Sequence, residues 1–191
     1  MEDIIAYRFF RKLIKPFFII LFRPTIIGIE NIPAGGPFVL AGNHPHWLDG
    51  AFLATSVKRS IHFLCKEELH KGPRKIIFKP AGTIPVNRSV NDTDAFKSAK
   101  EVLKNNRIIG LFPEAYCNKG DEPVLPFKTG AVRLAHETDT YLLPFTITGK
   151  YKLFRKTVTI EFHKMRKIET NDIKLENEKL MDFFREKLKD K

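Results

Sequence analysis

Hydrophobic positions along this 191-residue chain change period several times, and each change predicts an element. From residue 4 to 15, Ile4, Ile5, Phe9, Phe10, Leu13 and Ile14 form a broad stripe. Arg8, Arg11, Lys12 and Lys15 recur at three and four on the other side, which predicts an amphipathic basic helix. Pro16 kinks or restarts it, Phe17 to Phe22 extends the apolar run, and Arg23-Pro24 stops it. Ile26 to Glu30 and Pro37 to Ala41 then read as short strands around a Pro33-Ala34-Gly35-Gly36 turn. Ile61 to Cys65, Gly82 to Arg88, Ile108 to Phe112, Tyr141 to Thr148 and Thr157 to Phe162 read as further strands, with a Lys-, Phe- and Ile-rich segment from Lys66 to Pro80.

Helices intervene. One follows His44 and runs through Thr55, and another, capped by Asn91 or Asp92, carries Phe96, Ala99, Val102 and Leu103 before stopping at Asn105-Asn106. A third runs from Gly130 through Ala135, and a last starts near Asn171 with Ile173, Leu180, Phe184 and Leu188 on one face. Strands alternate with helices, and no repeat, low-complexity tract or linker interrupts them. This predicts a single α/β domain over residues 25–191, a central, mostly parallel or mixed β-sheet flanked by helices, preceded by an amphipathic helical segment over residues 1–24.

Composition narrows the partner. A hydrophobic content of 43% excludes a disordered chain, and 33 Lys+Arg against 22 Asp+Glu give a net charge of +11. Such a balance favours an anionic partner: nucleic acid, an anionic bilayer surface or a phosphate-bearing small molecule. No nucleic-acid recognition motif is present, and 17 Phe against 4 Tyr and 1 Trp points to lipid more than to base stacking. The first segment then reads as a helix lying in a membrane interface, with packing on the domain's own core as the alternative. Its longest uncharged apolar run, Pro16 to Phe22, is far short of the roughly 20 residues of a spanning helix. The acidic Glu2-Asp3 start lacks the basic region of a secretory signal, and Cys65 and Cys117 form no C-x-x-C pair. The expectation is a reduced protein held peripherally at the cytoplasmic face of a membrane, without a transmembrane span.

Candidate chemistry centres on Ala41 to Gly50. His44 and Asp49 stand five apart, about 140° apart on an ideal helix, so they converge only if His44 lies in a loop and Asp49 in the first turns of a helix. Pro45 supports that break, since it disfavours helix for the residue before it and suits a helix's first position. A carboxylate folded back there would fix the imidazole tautomer and leave the other nitrogen basic; the alternative is a helix cap beside a solvated acid. Arg88 and Glu114 follow two further strands, so they converge with this pair if the strands are parallel. The run His44-Pro45-His46-Trp47-Leu48-Asp49 brushes against H-x-H-x-D-H, but its acid is one residue late and Gly50 can ligate nothing, so no metal is expected. His62, His70, His136 and His163 are scattered and carry no assigned role. Neither G-x-S-x-G, a P-loop nor H-E-x-x-H occurs.

Taken in order, N-H-x-x-x-x-D at 43–49, G-x-I-P-V-N-R at 82–88, F-P-E at 112–114 and the proline of Leu142-Leu143-Pro144-Phe145 resemble the four motifs of the glycerolipid acyltransferases, which include the 1-acylglycerol-3-phosphate acyltransferases. Lys66-Glu67-Glu68-Leu69 and Phe127-Lys128-Thr129-Gly130-Ala131 add matching context, and the resemblance covers roughly residues 25 to 150. It implies that His44 deprotonates an acceptor hydroxyl while Asp49 holds it, and that the oxygen attacks the thioester of acyl-CoA or acyl-carrier protein without an acyl-enzyme. It further implies that Arg88 binds the acceptor phosphate, that Gly82 lets the backbone approach it, that Asn43 also binds substrate, that Glu114 orients the acceptor or braces the site, and that no cofactor is needed beyond the thioester co-substrate. The acceptor would be 1-acylglycerol-3-phosphate or a related lysophospholipid. One departure bears on that choice. The family's third motif usually reads F-P-E-G-T-R-S, and here Ala115 and Cys117 replace its glycine and arginine, leaving Arg88, with Lys119 or Lys128, to hold a phosphate. Cys117 reads as a chance replacement more than as a nucleophile. A non-catalytic lipid-binding relative is the alternative function, ahead of a metal-dependent hydrolase or a nucleic-acid-binding domain.

Overall fold

The first eighteen residues that the structure describes, Ile5–Phe22, form one helix, α1, which runs on through Pro16 instead of breaking there. The structure, a computed structural model, describes residues 5–90 and 92–189. Glu2-Asp3, Ile4, Asn91 and the side chains of Ile5 and Phe10 lie outside the described residues. Packing explains the continuity of α1: Tyr7, Phe18 and Phe22, on both sides of the proline, are buried on the domain, with Ile14 and Leu21 packed beside Phe18 and Phe22. Arg11 also departs from the expected cationic face. Its guanidinium turns inward and donates to the backbone carbonyls of Val57 (2.9 Å) and Lys58. What remains outside splits in two: Arg8, Lys12 and Lys15 form one stripe, and Phe9, Leu13, Phe17 and Ile20, spaced four, four and three, form another that is about 60% exposed. Among the described residues no helix is long and apolar enough to cross a membrane.

Beyond α1 the chain alternates as expected. The strands are β1 (Thr25–Ile27), β2 (Phe38–Gly42), β3 (Ile61–Lys66), β4 (Ile84–Val86), β5 (Ile108–Leu111), β6 (Tyr141–Gly149) and β7 (Val158–Phe162). The helices are α2 (Asp49–Ser56), α3 (Lys75–Phe78), α4 (Thr93–Lys104), α5 (Gly130–Glu137) and α6 (Ile173–Leu188). Asp92 caps α4 by accepting from Ala95 N at 2.9 Å. β1 is shorter than the sequence pattern suggested. Gly28 takes φ +70 and a Cβ there would lie 2.0 Å from Phe162 O, so the strand stops and a 3₁₀ turn, Ile29–Asn31, follows.

One seven-stranded sheet results, in the order β1-β7-β6-β2-β5-β3-β4, with every neighbouring pair parallel except β6 and β7. β2 is buried along its whole length, and alternation sends its side chains into two cores. Val39 and Ala41 join α4, α5 and α6 on one face. Phe38 and Leu40 join α1 and α2 on the other, with Phe52, Phe145 and Phe162. Burial on both faces gives β2, β5 and β6 their continuous apolar sequences, and it also aligns the carboxyl ends of β2, β4, β5 and β6 along one edge.

Candidate active site

His44 leaves β2 two residues after its end, and Asp49 opens α2, so the pair stands on either side of the Pro45 loop. The His44 Nδ1 lies 2.9 Å from Asp49 Oδ2. Asp49 is fully buried, and a buried carboxylate is tolerable only if donors surround it. Three do: the His44 ring, the His46 backbone N–H at 2.7 Å on Oδ2, and the Tyr151 hydroxyl at 2.6 Å on Oδ1. This acceptor fixes the proton of His44 on Nδ1 and leaves Nε2 as the unprotonated, accepting nitrogen. The ring is clamped by stacking on Phe112, with centroids 4.0 Å apart.

Tyr151 was not singled out from the sequence. It follows the end of β6, on the same sheet edge as His44, and a tyrosine just past the carboxyl end of an apolar strand was the signal available. Burial first, then the charge of Asp49, pushes its phenol well above the ordinary tyrosine range, so it stays a donor. Its ring also packs edge-on against Phe22 and Phe52.

Glu114 arrives from the end of β5. It is 3% exposed, and both its oxygens are engaged: Oε1 accepts from His44 N and Oε2 from Leu125 N, each at 2.7 Å. Desolvation raises its carboxyl above the usual range, opposed by those two N–H groups. The backbone of His44 is further tied by Asn118 N donating to His44 O at 2.8 Å. Glu114 is thus placed as a brace that fixes the His44 loop against the 112–118 loop. Ala115, where the resembled motif carries glycine, takes φ +62.

Cys117 lies against the outer face of the His44–Asp49 pair. Its Sγ is 3.3 Å from His44 Nε2, on the nitrogen that the Asp49 bond leaves basic. Burial pushes the thiol above its ordinary range, so it rests protonated and donates to Nε2. Both cysteines are free.

Arg88, after β4, reaches the same loop. Its Nη1 donates to Ala115 O, its guanidinium lies over the Tyr116 ring at 5.6 Å, and Lys128 Nζ donates to Arg88 O at 3.3 Å. Arg88, Lys128 and Phe112 line a cavity of about 250 Å³, so the ring that clamps His44 also walls the cation-bearing cavity. Asn43 is buried and pairs both side-chain ends with the Ile147 backbone at 2.8 and 2.7 Å, which locks β2 to β6. Asn43 and Glu114 line a second, more polar cavity of about 360 Å³. Gly82 is not brought to the others: it takes φ +68 before β4 begins, at the opposite end of that strand from Arg88, with its carbonyl 2.8 Å from His62 Nδ1. Neither Asn43 nor Gly82 therefore presents a free polar group beside Arg88. Among the described residues no group of three His, Cys, Asp or Glu could hold a metal ion.

The family model for the acyltransferases matches residues 23–148. The chain belongs to the acyltransferase family. Similar relatives are the 1-acyl-sn-glycerol-3-phosphate acyltransferases of Borreliella burgdorferi, 31% identical over 70% of this chain and 54% of that one, and of Bacillus subtilis, 28% identical over 78% and 76%. The chain thus spans about half the length of the first and three quarters of the second. Its fold matches the crystal structure of the 1-acyl-sn-glycerophosphate acyltransferase PlsC from Thermotoga maritima, with a TM-score of 0.76 and 22% identity, covering 98% of this chain and 78% of that one. The family match spans the whole of the His44, Arg88 and Glu114 constellation.

Proposed function

We propose that this acyltransferase moves a fatty acyl group from acyl-CoA or acyl-carrier protein to the hydroxyl of a lysolipid, 1-acylglycerol-3-phosphate or a related lysophospholipid, with the thioester as its only co-substrate. The observation that carries the reading is the 2.9 Å bond between His44 Nδ1 and the buried Asp49, which leaves Nε2 basic at the 112–118 loop. The acceptor hydroxyl displaces the Cys117 thiol from Nε2 and gives its proton to His44. Its oxygen attacks the thioester carbonyl directly, the ester C–O bond forms, the C–S bond breaks, and the departing thiolate takes the proton back from His44. General-base help of this kind contributes about 10² to 10⁴ in rate. Arg88 and Lys128 hold the acceptor's phosphate in the cavity walled by Phe112, whose other neighbour is the stacked His44 ring. A purely lipid-binding module would have no need for a fully buried carboxylate with three donors aimed at an imidazole. The activity for which the relatives are named supports the acceptor class, and the exposed apolar stripe of α1 supports peripheral attachment to a membrane.

The test is a mass-spectrometric screen of lysolipid acceptors against acyl-CoA and acyl-carrier protein, run on the wild type and on His44→Ala. Product from the wild type and at least about a hundredfold less from the variant supports the reading; near-equal turnover by both removes it.

A further inference from the structure

Besides the outer stripe of α1, two other exposed apolar groups stand near the site. Trp47, in the loop between His44 and Asp49, is 74% exposed, and Leu153 and Phe154, after β6, are 60% exposed each. These groups are joined by contacts. The Phe154 N–H donates to Leu21 O of α1, Tyr151 packs edge-on against Phe22, and the His46 ring lies 4.6 Å from Tyr151 and 5.7 Å from Trp47. An unbroken line of contacts therefore runs from the end of α1, over the Tyr151 that holds Asp49, to Trp47 at the catalytic loop. Phe154 takes φ +59, a conformation that a bulky residue rarely adopts, and it is held outward. Its flanks are Lys150, Lys152, Arg155 and Lys156, all exposed, with no acid between them.

We propose that Trp47, Leu153 and Phe154 are a second lipid-contacting point, distinct from α1, whose occupant is an anionic bilayer surface. Apolar tips set among cations match acyl chains beneath anionic headgroups. A second copy of this chain fits poorly, because a self-complementary contact would set the same four cations against themselves. Two points of attachment fix the angle at which the molecule sits, so that the loop carrying His44 faces the surface from which a lysolipid would come. The purpose of this contact rests on the lysolipid reading; its test does not.

Trp47 is the only tryptophan, so its emission reports this point alone. The full chain is mixed with substrate-free vesicles of phosphatidylcholine and phosphatidylglycerol. The expected result is a blue shift of Trp47 emission, quenching by lipids brominated in their acyl chains, and a weaker effect with phosphatidylcholine alone or in high salt. Leu153→Asp combined with Phe154→Asp, at exposed positions that leave the core untouched, should lower vesicle partitioning by at least about tenfold. Three outcomes overturn the proposal: no vesicle binding; binding by sedimentation with Trp47 emission unchanged; or a blue shift that appears without vesicles as protein concentration rises, which would assign the surface to a second copy. Failure of the acyltransferase reading would look different, with no product in the lysolipid screen and the Trp47 shift intact.

Discussion

Tyr151 and Asp49 are 102 positions apart in the chain and 2.6 Å apart in space, and their bond connects the end of β6 to the acid that holds His44 after β2. The pairing of β2 with β6 brings them together, since it sets both strands' carboxyl ends on one edge. Tyr151→Phe removes one of three donors to a buried carboxylate. Hydrogen bonds to charged groups contribute about 1.5–3 kcal/mol, so the variant should lose stability on that order and lose turnover as His44 is held less firmly. Urea unfolding and steady-state kinetics check it; a variant matching the wild type in both would leave Tyr151 as packing only.

Arg88, Lys128 and Arg133 are the cations lining the 250 Å³ cavity; Arg133 is paired with Glu137 at 2.7 Å, and no arginine stands at position 117 to help the other two. Arg88→Ala should therefore raise the KM for a phosphate-bearing acceptor about 10- to 100-fold with a smaller change in kcat, and Lys128→Ala should do the same more weakly. An acceptor titration at saturating donor measures both. An unchanged KM in Arg88→Ala would move the phosphate elsewhere.

The thiol of Cys117 lies 3.3 Å from His44 Nε2, the nitrogen that the proposed mechanism uses as base. Alkylation with N-ethylmaleimide should silence the wild-type enzyme, because the adduct stands against Nε2, whereas Cys117→Ala should keep activity within a few-fold and resist the reagent. Cys65, the other thiol, is buried and should react slowly. If Cys117→Ala itself loses turnover by orders of magnitude, the thiol takes part in the chemistry and direct attack is wrong.

Much of this was legible because burial on both faces leaves a plain trace. The continuous apolar runs of β2, β5 and β6, with His44 and Glu114 just past their ends, already implied parallel strands and a shared edge. The five-residue spacing with Pro45 between implied a loop-to-helix break that could fold Asp49 onto His44. Other features left no trace. The period of α1 revealed that the helix is amphipathic, but not that Ile14 and Phe18 would meet the core while Phe9, Leu13 and Phe17 face outward, because both faces are equally apolar. Arg11 looked like its cationic neighbours until the end of α2 offered it carbonyls. Gly82 shared a motif with Arg88 and yet lies at the far end of the strand, since a motif gives order along the chain and a strand spreads that order over its length. Tyr151 depended on strand pairing, which no local pattern encodes.

Glu114 offers a pH test of its bracing position. Burial raises its folded-state pKa above the ordinary glutamate value of 4.5, so the folded protein binds that proton more tightly than the unfolded chain does. Its contribution to stability is then fully present below the ordinary glutamate range and is lost as pH rises through the raised folded-state value. In Glu114→Gln there is no proton to lose, and an amide group now faces the N–H of His44 or Leu125, which leaves a donor unmet and costs about 1–3 kcal/mol. The stability advantage of the wild type over Glu114→Gln should therefore be largest in acid and shrink as pH increases across this window, read from urea midpoints at a series of pH values. An advantage that grows with pH would mean that the two backbone donors outweigh desolvation, and that Glu114 braces the catalytic loop as a fully ionised carboxylate.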